Sequence, residues 1–85
     1  MAKLVVCAVR DAALQAYARP FFVPTKGVAM RSFRDEVKRK AEDNPMHQHP
    51  EDYELFALGT FDEASGVFEL EGFERLARAV DVMEV

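Results

Sequence analysis

Residues Thr25 to Lys40 read TKGVAMRSFRDEVKRK, and they carry the clearest helical period in the chain. Met30, Phe33, Val37 and Ala41 recur at three- and four-residue steps, the spacing that stacks side chains on one face of an α-helix. Those four are the expected buried stripe. Thr25 is a suitable N-cap, because its hydroxyl can accept from an amide of the first turn. At about 100° per residue, Arg31, Arg34 and Lys38 fall together on an adjacent arc. Asp35 with Arg39, and Glu36 with Lys40, are acid-to-base pairs four residues apart that support the exposed back. Glu42, Asp43, Asn44 and Pro45 end the helix, and MHQHPED reads as a polar connection.

On either side of this helix the period changes to that of strands. Lys3 to Val9 is a continuous apolar run rich in Val, as expected of a strand covered on both faces. Asp11 begins a short turn or one-turn helix through Ala12, Ala13 and Leu14, and Tyr17 to Val23 reads as a second strand ending at Pro24. Pro20 lies inside it and cannot donate to a ladder, so this strand belongs at an edge or carries a bulge. After the helix, Tyr53 to Phe61 is apolar on both alternating faces, with Tyr53, Leu55, Ala57, Gly59 and Phe61 on one and Phe56 and Leu58 on the other. Asp62-Glu63-Ala64-Ser65-Gly66 is a hairpin loop whose Gly suits a left-handed residue before a return strand, Val67 to Leu70. Gly72 should break that strand, and Phe73, Leu76, Ala77 and Val80 suggest a short C-terminal helix. The expected fold is α+β: a small antiparallel sheet in β-β-α-β-β order packed on one main helix, with a short C-terminal helix, all in one domain over residues 1–85.

With 85 residues, of which 49% are hydrophobic and seven are Phe, the composition is that of a folded core rather than a disordered chain. A core this small has little net stability to spare, so a homo-oligomer is expected. No segment approaches the roughly 20 apolar residues that span a bilayer. The N-terminal run is cut short by Arg10 and Asp11, so it reads as a buried strand of an intracellular protein with no membrane partner. Cys7 is the one cysteine and sits in that run, where it reads as a small hydrophobe rather than a catalytic thiol.

Charge is segregated along the chain. Arg19, Lys26, Arg31, Arg34, Lys38, Arg39 and Lys40 form one basic stretch opposed only by Asp35 and Glu36, although the net charge is -4. From Glu51 to Glu74 the chain carries Glu51, Asp52, Glu54, Asp62, Glu63, Glu69, Glu71 and Glu74 with no Lys or Arg. The acidic balance excludes a protein that coats nucleic acid by bulk charge, so only a local patch could bind it. Single-stranded nucleic acid needs a cationic track beside aromatic rings. Phe21 and Phe22 with the seven basic residues are the candidate contacts, phosphates meeting the cations and bases stacking on exposed rings. Against this stands the reading that the charges only solvate a helix and the phenylalanines are core. Of two neighbouring strand residues, one at most points to a given face.

His47 and His49, with Glu51 and Asp52 nearby, have a spacing that metals sometimes use. Without cysteines or a second pair, a capped turn is the better reading, and no metal or other cofactor is expected. Asp62, Glu63, Glu69 and Glu71 lie in and beside the hairpin and read as a solvated acidic edge. No phosphate loop, nucleophile elbow or Cys/His/Asp arrangement occurs, so the chain is not expected to be an enzyme.

Several short strings together resemble a known family. They are Tyr17, Pro20 and Phe21; Gly27, Ala29, Arg31 and Phe33; His49, Pro50, Glu51 and Asp52; and Leu55, Phe56, Gly59, Phe61, Asp62 and Gly66. In this order and spacing, over roughly residues 4 to 68, they resemble the small nonstructural protein of gokushoviruses, the single-stranded DNA phages of the microvirus group. The resemblance implies a DNA-binding protein acting in genome replication or packaging. It also implies location in the host bacterial cytoplasm, absence from the mature virion, and viral or host replication proteins as candidate partners. It supplies no catalytic residues. The alternative is a protein-interaction or self-assembling module that uses opposed basic and acidic faces without touching DNA.

Overall fold

The computed structural model describes residues 3–83 and is an α+β fold with one antiparallel sheet. Five strands, β1 (Lys3–Asp11), β2 (Ala16–Tyr17), β3 (Phe21–Val23), β4 (Tyr53–Asp62) and β5 (Val67–Arg78), form that sheet in the order β2-β1-β4-β5, with β3 also on β1. The main helix, α1 (Lys26–Lys38), covers one face of the sheet. Two short helices, α2 (Pro45–Gln48) and α3 (Ala79–Met83), lie beside it.

The expected second strand occupies the sheet edge but in two pieces. Tyr17 pairs with Arg10, and Phe21 to Val23 pair with Cys7 to Val5. Between them the chain leaves the ladder at Pro20, which has no N–H to give, after the Ala18 amide has bonded the Val9 carbonyl at 2.8 Å.

Burial on the helix side follows alternation. Cys7, Val23, Leu55 and Ala57 meet Ala29, Phe33 and Val37 of α1 and Ala79 of α3. The helical stripe is therefore Ala29-Phe33-Val37, four residues apart at each step. Met30, expected in it, is 38% exposed on the helix shoulder. Thr25 caps as expected, its Oγ1 accepting from the Val28 amide at 3.2 Å. The C-terminus of α1 is closed by Asn44, buried to 1% exposure, whose Nδ2 donates to the carbonyls of Glu36 at 2.7 Å and Arg39 at 2.8 Å. The segment read as a polar connection is partly wound: Pro45 starts the turn of α2, and Pro50–Asp52 form a 3-10 turn.

The largest departure lies in β5. It runs through Gly72 to Arg78, and only Ala79–Met83 turn helical. A strand ending at Leu70 would leave the outer edge of β4 from Glu54 to Ala57 without ladder partners. Instead Arg78, Ala77, Arg75 and Glu74 pair there. Two irregularities absorb the mismatch, and one brings Leu58 opposite the Glu71 to Phe73 segment. Because Leu58 is the extra residue, the faces of β4 switch: Tyr53, Leu55 and Ala57 face the helix, whereas Phe61 joins Phe56 on the opposite face. The hairpin itself is as expected, with Gly66 at φ 75° and its amide bonded to the Asp62 carbonyl at 2.7 Å.

Candidate nucleic-acid interface

Among the seven cations of the basic stretch, the structure separates those occupied by carboxylates from those that are not. Lys26, in the first turn of α1, bonds Glu74 of β5 at 2.6 Å, and that bond holds its ammonium above the ordinary lysine pKa. Arg39 grips Glu36 through Nε at 3.0 Å and Nη2 at 2.8 Å and also faces Asp43 at 3.8 Å. These two are committed within the chain. Arg19, Arg31, Arg34 and Lys40 form no ion pair with a carboxylate of the described residues. Lys38 is exposed on the same arc as Arg31 and Arg34.

Arg31 and Arg34 share more than a helix face. They line a groove of about 340 Å³ between α1 and the end of the sheet, with Gly27, Met30, Ala77 and Val82. Met30, Ala77 and Val82 give it an apolar wall. Two guanidiniums beside an apolar wall can take phosphate oxygens in bidentate fashion while a base or sugar rests on the apolar side. Ala77 and Val82 come from the segment that the sequence reading had made largely helical, so their part in the groove was not foreseeable from the helical period of α1 alone.

The two phenylalanines part company. Phe21 packs into the core under α1, and Phe22 points to the other face of the sheet, where its ring meets Phe61 at 5.5 Å and Phe68 at 6.1 Å. Neither stands beside Arg31 and Arg34. Phe21 is thus buried on the helix side, and Phe22 is on the side of the sheet away from the α1 cations.

The acids are also placed differently from two opposed faces. Glu69 pairs with Lys3 and Glu74 with Lys26, and both stand on the helix side of β5, with Glu71 near Lys26. Acidic and basic patches therefore lie side by side on one side of the sheet. Of the two histidines, His47 hydrogen-bonds the Val37 carbonyl through Nδ1 at 3.0 Å, which places the proton on that nitrogen, while His49 is exposed 3.9 Å from Glu51. No group of three metal-ligating side chains converges among the described residues. Cys7 is fully buried, and burial pushes its thiol above the ordinary value, opposite to what a nucleophile requires. No helix among the described residues is long and apolar enough to cross a membrane.

A family model described as "Phage ORF5 protein" matches residues 4–82, from the first strand through the last helix. The chain belongs to that phage protein family. The match reaches beyond the motifs that end near Gly66 and takes in the whole of β5 and most of α3, including the Ala77 and Val82 wall of the groove. No curated protein and no solved structure matched the chain.

Proposed function

We propose that this phage accessory protein is a non-enzymatic single-stranded DNA-binding protein, and that the contact is the α1 arc of Arg31, Arg34 and Lys38, with Arg19 and Lys40 as outlying cations. The observation that carries the reading is the pair Arg31 and Arg34, which form no ion pair among the described residues and are set beside an apolar wall. In a chain of net charge -4, two adjacent guanidiniums with no carboxylate partner among the described residues, while Lys26 and Arg39 are paired, concentrate positive potential at one groove. Membership in a phage family agrees with a role on viral DNA. The motif resemblance narrows it to gokushovirus-type microviruses, to genome replication or packaging, and to the host bacterial cytoplasm rather than the mature virion. Lys26 and Arg39 have structural roles in this reading, and Phe21 stays in the core.

Fluorescence anisotropy of a labelled oligonucleotide, followed from low to physiological salt, tests it. The wild-type chain is expected to bind at low salt, with a salt slope of about 0.7 per phosphate neutralised. Arg31→Glu with Arg34→Glu should weaken binding at least tenfold and flatten that slope. Unchanged binding by the double variant, or none by the wild type at low salt, would refute the proposal. Assembly through protein contacts alone is favoured by a different observation, the aromatic face opposite α1.

A further inference from the structure

The sheet face away from α1 bears two ring clusters. Phe22, Phe61 and Phe68 form one, with Phe61 and Phe68 centroids 4.6 Å apart; Tyr17, Phe56 and Phe73 form the other, Tyr17 lying 5.7 Å from Phe56 and 5.8 Å from Phe73. These rings already bury Val6 and Ala8 of β1, which are 3% and 1% exposed without belonging to the helix-side core. Their own outer surfaces are bare: Phe22 is 46% exposed, Phe68 50%, Phe73 53%, Tyr17 42% and Leu70 61%. No described element covers them. Taking about 200 Å² for each side chain, they leave roughly 500 Å² of apolar surface on one face of a small chain.

Charge on this face decides what can cover it. The strand register places Arg10, Glu54, Arg75 and Arg78 there, all toward one end. Arg75 bonds Glu54 at 3.0 Å, Arg78 bonds Asp81 twice at 3.0 Å, and Arg10 lies over the Tyr17 ring at 5.9 Å. The Phe22, Phe68 and Leu70 end has no charge in the register. A polyanion would find few free cations here, since Arg31 and Arg34 are on the other side of the sheet. A surface like itself would find matching apolar area. A standard interface takes about 800 Å² from each partner, with an apolar centre and a polar rim. Roughly 500 Å² supplies such a centre, and the paired Arg and Glu residues supply part of the rim.

We propose that this aromatic face is a homodimer interface, in which two copies stack sheet on sheet about a two-fold axis, about 10 Å apart, with Phe22, Phe68, Leu70 and Phe73 at its centre. Both α1 helices then point outward, and a dimer carries two Arg31/Arg34 grooves on opposite surfaces. This assembly is apolar, so it does not use the basic and acidic patches and does not depend on DNA binding.

Light scattering after size exclusion, on the full chain at about 100 µM and at low and high salt, tests it. The wild type is expected at twice the chain mass at both salts. Phe68→Glu and Leu70→Lys should each weaken association by about tenfold or more with unchanged circular dichroism, while Arg31→Glu with Arg34→Glu stays dimeric. Should Phe68→Glu fail to fold, Leu70→Lys at the most exposed of these positions carries the test. A wild-type monomer at this concentration, or a Leu70→Lys variant that remains fully dimeric, overturns the proposal. A monomer whose oligonucleotide binding is abolished by Leu70→Lys overturns it too, and makes nucleic acid the occupant.

Discussion

Asn44 shows how one side chain can settle where a helix stops. The last carbonyls of α1 run short of backbone donors, and Asn44 reaches back from beyond the helix to give one amide nitrogen to two of them, Arg39 and Glu36, the latter also accepting from the Arg39 amide at 3.2 Å. Removing that donor strands the Arg39 carbonyl and leaves the Glu36 carbonyl with the Arg39 amide alone. Asn44→Ala is expected to destabilise the fold by about 1–3 kcal/mol in urea unfolding, and Asn44→Asp by more, because it sets a carboxylate against two carbonyl oxygens. Gly59 is constrained for another reason. A Cβ there would run into the Glu69 carbonyl oxygen and the Leu70 Cα on β5, both backbone atoms that cannot swing aside. Gly59→Ala should cost about 1–3 kcal/mol by overpacking, read as a lowered thermal midpoint, whereas the same change at Gly72, where a Cβ meets nothing, should cost far less.

Elements differ in how far their sequence announced them. In α1 the helical period, the Thr25 cap and the start were readable, because amphipathic period and capping are local properties, but the helix ends at Lys38 and leaves Ala41, expected in its stripe, outside it. At the N-terminal end of the stripe Ala29 takes the buried place expected of Met30. The bulge at Leu58 and the length of β5 were not readable, because both depend on what the edge of β4 needs from a strand distant in sequence. Residues such as Phe73, Leu76 and Ala77 fit a helical period equally well when read alone. The candidate site divides the same way: Arg31 and Arg34 followed from the helix, but Ala77 and Val82 came from β5 and α3, and Phe22 was carried to the far face by simple alternation.

Helix α1 also has a pH signature. Hydrogen bonds from Arg39 hold the Glu36 carboxyl below the usual glutamate range, with the nearby positive charge adding to the effect. A carboxylate depressed in the folded state contributes stability above its unfolded pKa, about 4.3, and loses it as pH falls through the lower folded value. Chemical unfolding of wild type and Glu36→Gln at several pH values should therefore show a stability difference at about pH 6 that shrinks steadily toward about pH 3. A difference constant across that range would mean the pair contributes nothing on folding.

At the scale of the whole molecule, the sheet separates two chemistries. One side holds α1, Arg31 and Arg34 without an ion pair among the described residues and, beside them, an acidic row on β5 tied in by Lys3 and Lys26. The other side is aromatic and nearly free of unpaired charge. The acidic row borders the Arg31/Arg34 groove on the same side of the sheet, so it should repel a strand that strays from the groove and confine contact to α1. Titration of the isotope-labelled chain with an unlabelled oligonucleotide, followed by amide chemical shifts, tests this division most directly. Shifts centred on Gly27, Arg31, Arg34 and Ala77, with the Phe22, Phe68 and Phe73 amides unmoved, are the predicted result. No shifts at low salt, or shifts confined to Phe22, Phe68 and Phe73, would contradict it.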